Sequence, residues 1–291
     1  MKHIIQNDFL KAEINPIGAE LSSLYSKHTG KEYLWQGDAT WWASRAPILF
    51  PIVCSLKDGT YSLNGETYNM PKHGFVRGAT FNIVSAEHSK ITFEYSDNDA
   101  TRKMYPFSFV FQVIFELLES RLSTTYRVVN RNDYDMYFSL GSHEAYRCPR
   151  ENGETFDDYY LEFERDSTYV SEVVTSAGLL NGESYTVIDN GKILPLKHEL
   201  FANDALIIKN VPSRRVFLKS KKSPAVVEVN YYDAPHLGIW TKAGAPYICI
   251  EPWHGLPDDV GHGGQIENKP GIIRLSAGSD FVWTHDIAIH L

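Results

Sequence analysis

The segment FSFVFQVIFEL, residues 107–117, alternates apolar with more polar side chains. Successive side chains of a β-strand point to opposite faces, so the odd-numbered positions from Phe107 to Leu117 would share one apolar face. The even-numbered positions include Ser108, Gln112 and Glu116, which suit a face that is in partial contact with water. The segment therefore predicts a long strand with one face in the core.

Segments with a similar pattern recur towards the carboxyl terminus, and most are rich in β-branched or aromatic residues. Turn signals such as Asn152-Gly153 and Asn190-Gly191 separate them. Helical patterns are short and weak, at residues 38–44 and 98–105, so a parallel sheet with crossover helices is disfavoured. The further predicted strands are LSTTYRVVN (122–130), YYLEFE (159–164), ALIIKNV (205–211), RRVFLKS (214–220), AVVEVNYY (225–232), LGIWTK (237–242), YICIEPW (247–253) and FVWTHDIAIHL (281–291).

The length of the chain fits either two domains or one large all-β domain. No composition break, charge block or flexible linker divides the 291 residues. A folded monomer of this size hides about 74% of the surface of its extended chain, so disulfides or a structural metal are not needed for stability. The predicted fold class is all-β: one large antiparallel β-sandwich, a single domain that spans residues 1–291.

The charge balance excludes several classes of partner. The chain has 28 Lys and Arg against 36 Asp and Glu, a net charge of −8. Binding to nucleic acid or to an anionic membrane requires a basic patch, and the clearest basic cluster is only Lys219, Lys221 and Lys222. We therefore expect no nucleic-acid or membrane partner, while a single phosphate group would need only one or two arginines.

Cysteine usage and the amino terminus bear on the compartment. The three cysteines are an odd number and form no CxxC pair, which favours reduced thiols. The start, MKHIIQNDFL, lacks the apolar region of a signal peptide. The longest apolar stretch, Pro47 to Cys54, is too short to span a bilayer. These features predict a cytoplasmic protein, either a monomer or a homodimer.

Polar side chains interrupt the strand pattern in four segments. Glu251 directly follows the apolar run Ile248 to Ile250, and burial there would raise its pKa and make it a usable base. Taken alone, Glu251 is equally consistent with a carboxylate at the rim of the sheet, and His143 or His73 with a hydrogen-bonded core or turn histidine. The four segments are RAPILFPIV (45–53), KHGFVRG (72–78), SLGSHEAY (139–146) and YICIEPWHGLPDD (247–259).

Together these segments resemble the aldose 1-epimerase (galactose mutarotase) family, and within it the LacX-like branch. The resemblance is carried by YLWQGDATWWASRAPILFPIV (33–53), HGFVRG (73–78), SLGSHEAY (139–146), FANDALIIKN (201–210) and IEPWHGLPDD (250–259). It extends over nearly the whole chain. The resemblance implies a galactose mutarotase-like supersandwich whose concave face binds a hexose without a metal or nucleotide cofactor.

The family's site residues carry over to individual positions. By resemblance Glu251 is the catalytic base and His143 the general acid. His73 is a second histidine in contact with the sugar, and Arg45 is an arginine expected near the ring oxygen. Asp204 corresponds to the substrate-binding aspartate, with Asp233 as a competing assignment.

The implied reaction interconverts the α and β anomers of a hexose by general acid/base ring opening and closure. A base removes the proton of the C1 hydroxyl while an acid protonates the ring oxygen, and one carboxylate and one imidazolium suffice. Trp240 and Trp253 are candidates to stack on the sugar, as is Trp35, although most aromatic residues of such a chain pack in the core.

Other functions remain open at this point. If Arg77 lies near Arg45, two guanidiniums would hold a phosphate, which would indicate a hexose-6-phosphate 1-epimerase. A non-catalytic carbohydrate-binding protein on the same fold is a second alternative. A metal-dependent hydrolase would use His254, Asp258 and His262, but nearby proline and glycines favour a loop over the helix this spacing needs.

Glu144 follows His143 where many members of the family have proline. If its carboxylate faces the imidazole, it favours the charged form of His143 and raises the pKa of the acid. If it faces away, it has little effect on that pKa.

Overall fold

The computed structural model describes residues 1–290, which form 22 strands, one short α-helix and five 3₁₀ helices. The all-β class predicted from the alternation is confirmed. The strands are β1 His3–Gln6, β2 Leu10–Asn15, β3 Glu20–Ser26, β4 Lys31–Glu32, β5 Thr60–Leu63, β6 Glu66–Asn69, β7 Asn82–Ala86, β8 Lys90–Ser96, β9 Phe109–Leu118, β10 Arg121–Asn130, β11 Met136–Phe138, β12 Leu140–Gly141, β13 Glu144–Arg147, β14 Tyr159–Val174, β15 Leu180–Pro195, β16 Leu206–Ile208, β17 Arg215–Ser220, β18 Val226–Asn230, β19 His236–Trp240, β20 Tyr247–His254, β21 Ile273–Leu275 and β22 Asp280–His290. The α-helix is Asp99–Arg102, and the 3₁₀ helices are Lys57–Gly59, Val76–Gly78, Phe156–Asp158, His198–Phe201 and Ile266–Asn268.

One large antiparallel sheet of 14 strands dominates the fold. Its strands run in the order β12-β20-β19-β16-β14-β17-β18-β22-β10-β9-β8-β7, with β13 added beside β20 and β15 beside β14. A second sheet has the order β1-β2-β3-β4, and β5 with β6 and β11 with β21 form two-stranded pairs. Among residues 1–290 no helix is long and apolar enough to span a membrane.

The large sheet folds back on itself to make a β-sandwich. Glu144 in β13 and His285 in β22 lie far apart along the hydrogen-bonded order of the sheet, yet Glu144 Oε1 is 3.1 Å from His285 Nε2. The two halves of the sheet therefore face each other across one hydrophobic core. That core contains Phe111 of β9, Leu161 of β14 and Ile250 of β20.

The alternating segment at 107–117 forms β9 as predicted. Phe109, Phe111, Val113, Phe115 and Leu117 are all buried, and they join the main core. The short α-helix lies within the predicted helical segment 98–105, where Asn98 caps its amino terminus. Residues 38–44 form turns instead of the helix that their pattern suggested.

Strand β20 lies between two other strands and is buried on both faces. It pairs with β19 on one side and with β12 and β13 on the other. Ile248 and Ile250 face the main core, whereas Cys249, Glu251 and Trp253 alternate with them and face the opposite side. The pairing of β20 on both sides therefore places the Glu251 carboxylate in a buried position.

A buried ion pair anchors the loop that follows β20. Lys269 Nζ donates to Asp258 Oδ1 at 2.9 Å and to the carbonyl oxygen of Leu256 at 2.7 Å. The other carboxylate oxygen of Asp258 accepts from the backbone N–H of Lys57 and lies 3.3 Å from His262 Nδ1. The pair fixes residues 255–258, of which Pro257 borders the cavity described below.

We predict that Lys269→Met destabilises the protein by about 3 kcal/mol, because it leaves the Asp258 carboxylate buried without its cation. Urea unfolding of wild type and variant measures the difference. Lys221→Met, which removes an exposed lysine bonded to the carbonyl oxygen of Asp157, is the matched control and should change little. A loss below about 1 kcal/mol for Lys269→Met, the usual range for an exposed pair, would contradict the anchoring role.

Candidate active site

A cavity opens on the face of β20 that carries Glu251. Its volume is about 230 Å³. Seven of the eight site residues predicted from the sequence border it: Glu251, His143, His73, Arg77, Asp204, Trp240 and Trp253. Its wall also contains residues that the sequence analysis did not select: Trp42, Pro47, Cys54, Lys72, Val174, Gly178, Ala205, Ile207 and Pro257.

Glu251 and His143 lie side by side at the cavity wall. Glu251 Oε2 is 3.3 Å from His143 Nε2, and the exposed fractions of the two residues are 2% and 8%. The pairing of β13 and the preceding residues with β20 brings them together, since Ser142 N–H donates to the carbonyl oxygen of Pro252. The contact therefore depends on sheet register and not on a flexible loop.

Burial opposes the charged form of both members of this pair. It raises the pKa of the Glu251 carboxyl well above its usual range, while Lys72 lowers this pKa and Glu144 raises it. Burial, together with the positive charges of Lys72 and Arg77, lowers the pKa of His143 to about 3. Burial therefore favours the uncharged form of the pair, in which Glu251 carries a proton and His143 is neutral.

The hydrogen bonds of His73 fix its tautomer. The backbone N–H of Cys54 donates to His73 Nδ1 at 3.1 Å, so Nδ1 carries no proton. Burial lowers the pKa of His73 well below its ordinary value, and the neighbouring His143 lowers it further. The neutral ring must then carry its proton on Nε2, which makes it a hydrogen-bond donor.

The backbone of His73 and Gly74 holds this ring in place. His73 N–H donates back to the carbonyl oxygen of Cys54 at 2.9 Å. Gly74 has a φ of +70°, and a Cβ at this position would lie 2.1 Å from the carbonyl oxygen of Phe50. Only glycine fits such a close approach. This explains why a glycine follows His73 in the segment HGFVRG.

The indole of Trp253 lies across two glycines. A Cβ on Gly141 would lie 2.6 Å from Trp253 Cδ1, and a Cβ on Gly238 would lie 2.4 Å from Trp253 Cζ2. Gly238 is paired with Glu251 across the strands, so its missing side chain leaves the room that the indole fills. The flat ring forms part of the cavity wall beside the carboxylate.

Two tryptophan rings pack against His143. Trp42 stacks on the imidazole with 4.9 Å between ring centroids, and Trp240 meets it edge-on at 5.9 Å. Tyr247 packs against both tryptophans. Trp35, also considered from the sequence, packs on Tyr247 and donates its indole N–H to the carbonyl oxygen of Trp42. It therefore contacts residues around His143 without bordering the cavity itself.

Lys72 and Arg77 bring positive charge to the cavity. Both are exposed and border it, and within residues 1–290 neither pairs with a carboxylate. Lys72 Nζ lies 4.0 Å from the point that a Cβ on Gly178 would occupy, so it reaches the tip of the β14–β15 hairpin. Lys72 directly precedes His73 in the motif, but in the sequence it looks like an ordinary surface lysine.

Arg45 is not among the residues that border the cavity. Its guanidinium donates to the carbonyl oxygen of Gln36 at 2.7 Å and packs on Gly37. A contact of Arg45 with a sugar or with a phosphate held by Arg77 stays a prediction. The second cation in the cavity is Lys72.

Of the two aspartates considered for substrate binding, Asp204 borders the cavity. Its backbone has a φ of +85°, and its Oδ1 accepts from the N–H of Ala205, which leaves Oδ2 free of protein partners in the described part of the chain. Asp233 lies elsewhere, 3.8 Å from His254 Nε2. The geometry therefore favours Asp204 over Asp233.

Glu144 faces away from the imidazole of His143. Its carboxylate points into the core between the halves of the sheet, where it contacts His285, whose ring stacks on Tyr126 and Trp283. Alternation along β13 explains this direction, because neighbouring residues of a strand point to opposite faces. Glu144 acts on the site only through its charge, which raises the pKa of Glu251.

The residues considered for a metal-dependent hydrolase do not converge. Among residues 1–290, the one group of at least three His, Cys, Asp or Glu side chains with ligand atoms within 4.8 Å of one another is His143, Cys249 and Glu251. His262 contacts Asp258, while His254 packs on Phe281 and Trp283.

Comparisons with known proteins agree along the whole chain. The family model described as aldose 1-epimerase matches residues 1–274. The chain is 32% identical over 294 residues to the chromosomal protein LacX of Lactococcus lactis subsp. lactis, which covers 98% of both chains.

Two solved structures share the fold at more than 30% identity. A galactose mutarotase related enzyme from Lactobacillus acidophilus superposes with a TM-score of 0.96 at 34% identity, covering 100% of this chain and 98% of the other. A galactose mutarotase-like protein from Lactobacillus casei ATCC 334 superposes with a TM-score of 0.94 at 33% identity, with both chains fully covered. The fold of these relatives is thus the fold described above.

We predict opposite shifts of the Glu251 pKa in two charge-removing variants. Lys72→Met should raise this pKa, because it removes a cation that stabilises the carboxylate, whereas Glu144→Gln should lower it, because it removes a repelling negative charge. The measurement is a pH titration of ¹³C-labelled glutamate by NMR, with the resonance assigned by its loss in Glu251→Gln. Shifts of the same sign in both variants would refute this electrostatic arrangement.

Proposed function

The chain belongs to the aldose 1-epimerase family, and from this premise we propose that it interconverts the α and β anomers of a hexose. The observation that carries the proposal is the contact of Glu251 with His143, 3.3 Å apart at the wall of a sugar-sized cavity. A carboxyl group and an imidazole that share one proton provide a general base and a general acid side by side. Anomer exchange requires one general base and one general acid.

In the proposed reaction the pair acts as Glu251 carboxylate and His143 imidazolium. Burial favours the neutral pair with the proton on Glu251, and one proton transfer between the two groups gives the reactive form without any change in net charge. In this proposal, Glu251 and His143 are thus charged only during the proton transfers of the reaction. Because the two groups titrate together, a pH–rate profile reports values of the pair and not of either residue.

Ring opening then proceeds without a covalent intermediate. Glu251 takes the proton of the C1 hydroxyl, the electron pair of that O–H bond forms the aldehyde, and the bond from C1 to the ring oxygen breaks as His143 protonates that oxygen. Rotation about C1–C2 and the reverse transfers close the ring as the other anomer. Each general acid or base contributes about 10²- to 10⁴-fold to the rate.

Other cavity residues support binding of a hexose in this proposal. His73, with its proton on Nε2, donates to a sugar oxygen, and the free oxygen of Asp204 accepts from a hydroxyl. The faces of Trp240 and Trp253 pack on the apolar C–H faces of a pyranose. None of these contacts changes charge during the reaction, so they position the sugar.

We predict that Glu251→Gln and His143→Gln each slow anomer exchange by about 10²- to 10⁴-fold, since each removes one proton-transfer group. Magnetisation-transfer NMR on equilibrated galactose and glucose measures the exchange. Glu267→Gln changes an exposed glutamate of the 3₁₀ helix Ile266–Asn268 that does not border the cavity, so it is the matched control and should keep wild-type exchange.

Two results would contradict the proposal. One is fast exchange in a folded Glu251→Gln variant, which would mean that this carboxylate is not the base. The other is sugar binding by the wild type without exchange on any hexose, which would favour a non-catalytic carbohydrate-binding protein.

A hexose 6-phosphate is a second candidate substrate. The observation that favours it is the pair of cations at the cavity, Lys72 and Arg77, neither paired with a carboxylate in the described part of the chain. A phosphate is a suitable partner for a guanidinium and an ammonium together. The acid and base would be the same pair as for a free hexose.

We predict that, if phosphate is bound, Arg77→Ala weakens the use of hexose 6-phosphate about 10- to 100-fold, the usual value of a charged hydrogen bond, and leaves free hexose unaffected. The measurement is kcat/KM for anomer exchange on glucose, galactose and their 6-phosphates. Arg147→Ala, at an exposed arginine of β13, controls for general loss of charge. An equal loss on free and phosphorylated sugars would exclude the phosphate role.

We also propose that the protein works in the cytoplasm, because its three cysteines are buried free thiols of the kind that persist in a reducing compartment. The choice between monomer and homodimer stays a prediction.

A further inference from the structure

Cys249 lies beside the proposed acid and base but has no part in their chemistry. It occupies β20 two residues before Glu251, so both side chains point to the same face of the sheet. Ligand atoms of His143, Cys249 and Glu251 all lie within 4.8 Å of one another, and all three residues are buried. A thiol, an imidazole and a carboxyl group thus converge on one point.

These are the three donor types that zinc binds in proteins. Three protein ligands and one open position form the usual exchangeable zinc site. Bond lengths of about 2.0–2.3 Å and tetrahedral angles place neighbouring ligand atoms roughly 3.3–3.6 Å apart. His143 Nε2 and Glu251 Oε2, at 3.3 Å, already meet this spacing, and Cys249 Sγ lies within 4.8 Å of both atoms.

The charge balance suits a buried dication. Zinc binding displaces the proton of the Cys249 thiol. The complex contains Zn²⁺, one thiolate, one carboxylate and a neutral imidazole, so its net charge is zero. No uncompensated charge is buried, which removes the main cost of placing a metal ion here.

One feature of the group distinguishes it from a resident metal centre. Histidines that hold a permanent metal almost always donate their second ring N–H to a protein acceptor. His143 Nδ1 is buried and has no hydrogen-bond partner in the described part of the chain. The ring is oriented by stacking on Trp42, an arrangement that suits reversible binding better than a cofactor site.

We propose that His143, Cys249 and Glu251 form a reversible inhibitory Zn²⁺ site. The inference rests on the proposed function, because inhibition follows only if His143 and Glu251 are the acid and base. A bound ion occupies His143 Nε2 and a Glu251 oxygen, the two atoms that would exchange protons with the sugar. Zinc and hexose therefore compete for the same place, and inhibition strengthens with rising pH because binding releases protons.

Cobalt(II) is the probe for the site, because it is a spectroscopic substitute for zinc. Titration of the reduced, metal-free protein with Co²⁺ should give the visible bands of tetrahedral cobalt and a thiolate-to-cobalt charge-transfer band. Zn²⁺ should displace the cobalt and abolish both signals. Cys249→Ser should lose the charge-transfer band, whereas Cys54→Ser, which changes the other cysteine at the cavity, should retain it.

Exchange kinetics test the consequence. Micromolar to millimolar Zn²⁺ should inhibit anomer exchange by the wild type, a chelator should restore it, and hexose should raise the zinc concentration needed. Each Cys249 variant is compared with its own metal-free rate, and we expect at least a tenfold weaker inhibition in Cys249→Ser. Cys148→Ser, at a buried cysteine outside the cavity, should be inhibited like the wild type.

The outcomes separate the two proposals. No charge-transfer band in the wild type, or the same band in folded Cys249→Ser and Cys249→Ala, overturns the zinc site whether or not the protein is an epimerase. A cobalt site in a protein that exchanges no sugar leaves the metal site standing and overturns the inhibition together with the proposed function. Circular dichroism confirms that each variant is folded.

Discussion

Strand β20 is hydrogen-bonded on both sides and buried on both faces, and the site depends on that double burial. Its alternation sends Ile248 and Ile250 into the main core and Cys249, Glu251 and Trp253 to the opposite side, where Glu251 and Trp253 border the cavity. Because the strand cannot rotate without breaking its pairing with β13 and β19, the carboxylate stays where water cannot solvate it. Desolvation then raises the pKa of Glu251, and the same burial lowers the pKa of His143 beside it.

Four buried acids each face a basic side chain, Asp286 with Arg121 among them. The other three lie on or next to β20, and their pairs differ in their surroundings. Asp258 with Lys269 is a closed network in which both carboxylate oxygens accept hydrogen bonds, and it anchors the loop after β20. Glu144 with His285 bridges the two halves of the sheet. Of these three pairs, only Glu251 with His143 borders the cavity, and its contact of 3.3 Å is the longest. The first two pairs lie within the fold, and the third is the one that a ligand in the cavity could reach.

The cavity is also where the tip of the β14–β15 hairpin and the loop after β20 meet. Leu180 N–H donates to the carbonyl oxygen of Asp258, and Val260 N–H donates to that of Leu180, so each segment holds the other. Val174 and Gly178 of the hairpin and Pro257 of the loop border the cavity. Differences among relatives in these two segments would reshape the cavity mouth, near Lys72, without disturbing Glu251 on β20 or His143 beside it.

The sequence by itself determined the fold class and most of the candidate site. Period-two alternation is a local property, so residues 107–117 and 247–253 indicated buried strands without any knowledge of their neighbours, and the motifs around His73, His143 and Glu251 carried the family resemblance. What only the tertiary structure decided is which side chains meet. The sequence could not place Arg45 on the carbonyl of Gln36, Lys72 and Trp42 at the cavity, or Cys249 beside the acid and base. The contact of Glu144 with His285 could not be predicted either, because it joins strands that are far apart in the chain. The physical reason is that such contacts are set by strand register and by the curvature that folds the sheet over, and neither leaves a local pattern in the sequence.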